Sequence, residues 1–136
     1  MATGTDEINT ILERSKIVAM VGLSPREDSA SYRVAEYLHG QGYRVIPVNP
    51  TVSEPIFGEQ PYASLRDIAD HIDVVDVFRR AEATDEVIDD AIAVGADAVW
   101  LQLGIRNEAG LVRARAAGLL AVHDHCMRVE HTRYRG

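Results

Sequence analysis

Lys16-Ile17-Val18-Ala19-Met20-Val21-Gly22-Leu23-Ser24 is the stretch on which the fold turns. Ile17 to Val21 are apolar without alternation, the pattern of a strand covered on both faces, and a segment of helical period follows the loop behind them. The same unit recurs along the chain, which reads as repeated strand–helix units around a buried parallel sheet. Working outward, the pattern predicts a leading helix over 6–14, strand 17–21, loop 22–28 and helix 31–41, closed by Gly42. Strand 44–48 comes next and is stopped by Asn49 and Pro50. An irregular stretch, 51–61, precedes a short helix over 64–69 capped by Ser64. Strand 74–78, helix 84–94 ended by Gly95, and strand 98–103 follow. A helix capped by Asn107 and running to 117, strand 119–122 and a final helix over 126–133 complete the reading.

The 136 residues suit one domain with its own core, expected to span the whole chain with its centre over 16–131, and no repeat, linker or low-complexity tract interrupts them. A composition of 46% hydrophobic and 26% charged residues is that of a folded globular chain. Fourteen basic residues against 21 acidic ones give a net charge of −7, which opposes non-specific capture by nucleic acid or anionic lipid. An anionic ligand would need locally placed arginines and backbone donors. The single cysteine, Cys126, excludes an internal disulfide, and residues 1–11 lack the features of a signal peptide, so a cytoplasmic location is expected. Apolar runs such as 17–21 are far shorter than the ~20 residues that span a bilayer.

Five strands with helical crossovers predict a Rossmann-like, doubly wound, mainly parallel α/β sheet. The strand order expected is 3-2-1-4-5, with a ligand beyond the carboxyl ends at the switch point between the first and fourth strands. The chemistry is then sought in the loops after the strands.

The first loop, Gly22 to Ser31, opens a helix whose free amides and positive dipole end favour a phosphate. It has neither the G-x-G-x-x-G of dinucleotide folds nor the G-x-x-x-x-G-K-[ST] of nucleoside triphosphatases, so a polar turn capped by Ser29 or Ser31 is the competing reading. At the second strand's end, Val48-Asn49-Pro50 lacks the acidic residue that takes ribose hydroxyls in an NAD site. Pro47 inside that strand suggests an edge or a distorted end, and Asn49 is either a ligand amide or part of a plain turn. The third exit, Phe78-Arg79-Arg80, pairs a ring for adenine or a pantetheine arm with guanidinium groups for phosphate, against a core Phe and two solvated arginines. The fourth exit supplies Gln102, Gly104, Ile105 and Arg106 ahead of another helix start. Trp100 reads as core, with an indole N–H that needs a partner.

The tail holds His123, His125, Cys126 and His131, all compatible zinc ligands, but the spacing matches no familiar zinc pattern and Cys126 reads as packing. Neither Ser24 nor Cys126 has the flanks of a known nucleophile. No catalytic or metal residue is assigned.

Taken in order, I-V-A-M-V-G-L-S, S-Y-R-V-A-E-Y-L, G-Y-R-V-I-P-V-N-P, D-V-V-D-V-F-R-R and A-V-W-L-Q-L-G-I-R-N-E resemble the single-domain CoA-binding protein family, from about Lys16 to His131. That family is similar to the N-terminal CoA-binding domain of the succinyl-CoA synthetase α-subunit, and the resemblance implies a Rossmann-like fold with coenzyme A across the strand ends. By position it implies a phosphate cradle of Gly22, Leu23, Ser24 and Arg26. Asn49 and Pro50 would line the second strand's edge, Phe78 and Arg79 the third, and Gln102, Gly104 and Ile105 the fourth. Where the synthetase has Thr-Glu-Gly-Ile-Pro, this chain reads Leu101-Gln102-Leu103-Gly104-Ile105-Arg106, without the acidic residue. The resemblance covers the CoA-binding domain and does not extend to the synthetase domain that bears the phosphorylated histidine, so the expectation is a chain that binds CoA or an acyl-CoA as carrier, sensor or subunit.

Two enzymatic readings compete. An NAD(P)-binding oxidoreductase fits the fold but not the loop glycines or the second-strand end, and a small acyl-CoA enzyme would need His123 or His125 as a base. A third reading is a regulatory module acting through its surface on an unidentified protein partner or on a second copy of itself.

Overall fold

The computed structural model describes residues 4–135; the first three residues and Gly136, part of the expected domain, lie outside the description. α1 (Gly4–Arg14) leads into β1 (Ile17–Val21), α2 (Ala30–Gly40) and β2 (Arg44–Val48). β3 (Val74–Val77), α3 (Thr84–Ala93), β4 (Ala98–Leu101), α4 (Glu108–Ala116), β5 (Leu120–Val122) and α5 (Met127–Arg135) follow. Local chemistry explains the starts. Ser29 and Asn107 cap α2 and α4 by accepting from the Tyr32 and Gly110 amides, and α1 and α3 place Asp6, Glu7, Asp85 and Glu86 in their first turns. Ser64 does cap a turn, but it is a single 3-10 turn, Leu65–Asp67, rather than the helix expected over 64–69. No described helix is long and apolar enough to cross a membrane.

All strand pairs are parallel, and the sheet order is β2-β1-β3-β4-β5, which corrects the expected 3-2-1-4-5. The physical reason is visible in burial. Every residue of β3 is buried, as befits an interior strand, while β2 begins with exposed Arg44 and carries Pro47, which lacks an N–H to give a further strand. The edge signal of Pro47 was thus the correct guide to the border of the sheet. The switch point moves with the order, from between the first and fourth strands to between β1 and β3.

Apolar layers cover both faces. One joins alternate strand residues such as Met20 and Trp100 to α1, α2 and α5 through Ile11, Leu38 and Met127. The other joins Ala19, Val75 and Val99 to α3 and α4 through Ile88 and Leu111. At the far border, the short strand β5 is sealed by an ion pair. Glu7 Oε2 accepts from the Ala121 amide at 2.8 Å, Arg115 Nη2 donates to the Ala121 carbonyl at 2.8 Å, and the two side chains meet at 2.8 Å.

Candidate functional site

The predicted residues lie on loops at the carboxyl edge of the sheet, and the corrected order sets the third exit directly beside the first loop. With β3 beside β1, the Phe78 amide donates to the Val21 carbonyl at 2.8 Å, so the third exit lies against the first loop. Gly22 sits in that contact with φ +89°; a Cβ there would lie 2.3 Å from the Phe78 carbonyl oxygen, so only glycine fits. The Gly22 amide donates to Val48 across the other neighbour at 2.8 Å, tying three strand ends into one ledge.

The first loop is shaped by its own side chains. Ser31 Oγ accepts from the Ser24 amide at 3.0 Å, and Ser24 Oγ accepts from the Arg26 amide at 3.1 Å. Leu23 is wholly buried, backbone included, and its carbonyl accepts from Asn49 Nδ2 at 3.1 Å. Asn49 Oδ1 takes the Thr51 amide and hydroxyl. The Asn49 side chain therefore braces the first loop against the second. Arg26 pairs with Asp28 at 3.2 Å on the open surface, and the Ala30 and Ser31 amides at the start of α2 have no partner among the described residues.

Two clefts flank the ledge. The first, about 340 Å³, is lined by Ala30, Val34, Phe78, Gln102, Ile105 and Cys126, with Arg33, Arg128 and exposed Leu103 at its sides. The second, about 220 Å³, lies on the opposite face and includes Pro50, Ser64 and Arg79. The expected residues are thus divided, with Phe78, Gln102 and Ile105 in one wall and Pro50 and Arg79 in the other. Gly104, φ +86°, stands apart in a turn where its amide donates to Asp124 at 2.7 Å.

Sequence reasoning missed Arg33, Arg128 and Cys126 as neighbours of this cleft, and the buried Asp76 behind it. Arg33 did leave a signal. It stands in the first turn of α2, which contains no acidic residue, although a helix start disfavours a cation. Together with Arg79, Arg80 and Arg128, it forms no ion pair with any described residue. Asp76 is fully enclosed, and burial pushes its carboxyl up to about 7.

The tail residues go elsewhere. His131 Nδ1 meets the Tyr37 hydroxyl at 2.8 Å, His123 Nδ1 accepts from the Asn107 amide at 3.0 Å, and His125 Nδ1 meets the His123 carbonyl at 2.8 Å. His123 and His125 line a separate cleft of about 450 Å³ with Glu7 and Val112. The Trp100 indole finds its partner in the His125 carbonyl at 2.9 Å.

The chain is 39% identical over 125 residues to the uncharacterized protein YneT of Bacillus subtilis, covering 92% of each. A hypothetical protein from Pyrococcus horikoshii is similar at 41% identity and a TM-score of 0.91, over 99% of this chain and 94% of that one. The fold alone also recurs at 22% identity and a TM-score of 0.71 in the dinucleotide-forming acetyl-coenzyme A synthetase 1 of Ca. Korarchaeum cryptofilum, over 80% of this chain and 26% of the synthetase. Residues 16–132 match the family described as CoA binding domain, and the chain belongs to that family.

Proposed function

We propose that this chain binds coenzyme A or an acyl-CoA across the ledge and acts as a carrier, sensor or subunit without turnover of its own. One observation carries the reading. In a chain of net charge −7, four arginines that form no ion pair with any described residue stand around the carboxyl edge of the sheet, which also holds two helix-start amides without a partner among the described residues. CoA carries a diphosphate and a 3′-phosphate, which such a set neutralises. The Ala30 and Ser31 amides, Ser24, Arg26 and Arg33 serve the phosphates from the first loop; Pro50 and Arg79 serve from the opposite side. Gly22 supplies close backbone approach, and Asn49 fixes the first loop through the buried Leu23 carbonyl; Gly104 shapes the fourth exit from outside the clefts. Phe78, Gln102 and Ile105 form the wall for the pantetheine arm.

The histidines considered as bases for a small acyl-CoA enzyme line the other cleft, away from Phe78 and Gln102. This supports binding over turnover. Calorimetric titration with CoA, NAD+ and 3′-dephospho-CoA tests the reading. Saturable one-site binding of CoA, weaker for 3′-dephospho-CoA and undetectable for NAD+, is the expected result; heat with NAD+ and none with CoA overturns it in favour of an oxidoreductase.

A further inference from the structure

Among the described residues, Asp76 Oδ2 is the buried side-chain oxygen that lacks a hydrogen-bond partner. Asp76 stands in β3 between Met20 of β1 and Trp100 of β4, and the Trp100 indole donates to His125 instead. A carboxyl enclosed this way costs free energy that an apolar residue of similar volume does not. Its side-chain bond goes to Gln102, whose Nε2 donates to Asp76 Oδ1.

Gln102 is itself only 3% exposed, yet it stands in the cleft wall with Phe78 and Ile105. Its backbone is pinned too, with the amide donating to Val77 and the carbonyl accepting from Ile105. Its side-chain carbonyl, Oε1, makes no hydrogen bond with any described residue and is not enclosed as Asp76 Oδ2 is, so it keeps contact with the cleft that Gln102 lines.

We infer that Asp76 is a positioning residue: by taking the Gln102 side-chain N–H, it turns the Gln102 carbonyl into the cleft as a fixed acceptor for an amide N–H of the pantetheine arm. This rests on the CoA reading and says which part of CoA the first cleft takes. A carbonyl acceptor repels phosphate oxygens, which keeps the phosphates at the Ala30 and Arg33 end of the cleft and away from Gln102. The flanking Val34, Phe78 and Ile105 suit the methylene groups that alternate with amides along pantetheine. Fixing the acceptor in advance spares the ligand the cost of ordering it.

The test compares CoA with adenosine 3′,5′-bisphosphate, which lacks the arm, on wild type, Asp76→Leu, Asp76→Asn, Gln102→Leu and the Asp76→Leu/Gln102→Leu pair. Each Leu variant is expected to bind CoA about tenfold more weakly, the value of one hydrogen bond, and to keep its affinity for the bisphosphate, which also reports that it folds. The double variant should lose no more than either single one, because both remove the same interaction. Asp76→Asn retains an acceptor for Gln102 and should restore most of the CoA affinity. Wild-type CoA affinity in Asp76→Leu, or equal loss of both ligands, overturns the inference while leaving CoA binding intact. A wild-type chain that binds neither ligand overturns the CoA reading itself.

Discussion

At the amino edge of the sheet Arg44 is held by Glu59 at 2.9 Å and Asp70 at 2.6 Å, and His71 by Asp97 at 3.0 Å. Asp73 Oδ2 there accepts from the Lys16 and Ile17 amides at 2.8 Å each. At the carboxyl edge, Arg33, Arg79, Arg80 and Arg128 form no ion pair with any described residue, and Arg33 and Arg128 flank the cleft at the start of α2. A parallel sheet directs helix starts to one edge and helix ends to the other, so the backbone already separates charge along the strands. At the amino edge Arg44 and His71 are neutralised by acidic neighbours, whereas these four arginines at the carboxyl edge are not held in ion pairs with described residues. That difference is what the proposed binding of an anionic ligand at the carboxyl edge rests on.

The contrast breaks most completely at the ledge itself. Gly22→Ala forces a methyl group into the Phe78 carbonyl at a backbone angle that L residues resist, and a loss of about 4 kcal/mol in denaturant unfolding, with CoA binding abolished, is expected. Next comes pH. Burial lifts Asp76 from 3.8 to about 7, so across that window the folded chain keeps a proton that the unfolded chain has released, and stability falls as pH rises. Asp76→Asn should remove this slope, a change of a few kcal/mol seen by comparing melts at pH 5 and pH 8. His123 and His131, both lowered mainly by burial, act in the opposite sense, losing stability as pH falls below their ordinary 6.5, and Asp76→Asn leaves that limb in place.

Arg33→Ala and Arg79→Ala sharpen the comparison directly. Each should raise the CoA dissociation constant about tenfold at modest salt and flatten its salt dependence, as loss of a phosphate contact does. The smallest effect belongs to the opposite edge, where Arg44→Ala should leave CoA affinity unchanged and cost less than about 1 kcal/mol of stability, as exposed ion pairs do. Equal weakening of CoA binding by Arg44→Ala and Arg33→Ala would erase the distinction between the edges.

The elements themselves were legible because each is a local pattern. The apolar run of 17–21, the glycines after helices, and the caps at Ser64 and Asn107 all declare themselves within a few residues. Strand order was not, since it depends on which buried faces meet across the whole chain. Pro47 and the unbroken burial of β3 carry that information only once they are weighed against each other. The strand-end loops could likewise be located from sequence, and Phe78, Gln102 and Ile105 do share a cleft. Arg33 and Arg128 reach it from helix first turns, and Asp76 stands behind it, its carboxyl looking like any acid in a strand until burial and Gln102 are known.

The ion pair at β5 has a consequence for crowded solution. The backbone groups of Ala121 that would receive an added strand are already taken by Glu7 and Arg115, so a neighbouring chain approaching that border meets a charged plug in place of a template for sheet growth. Strand addition at this border therefore requires first pulling the α1 and α4 side chains off the edge.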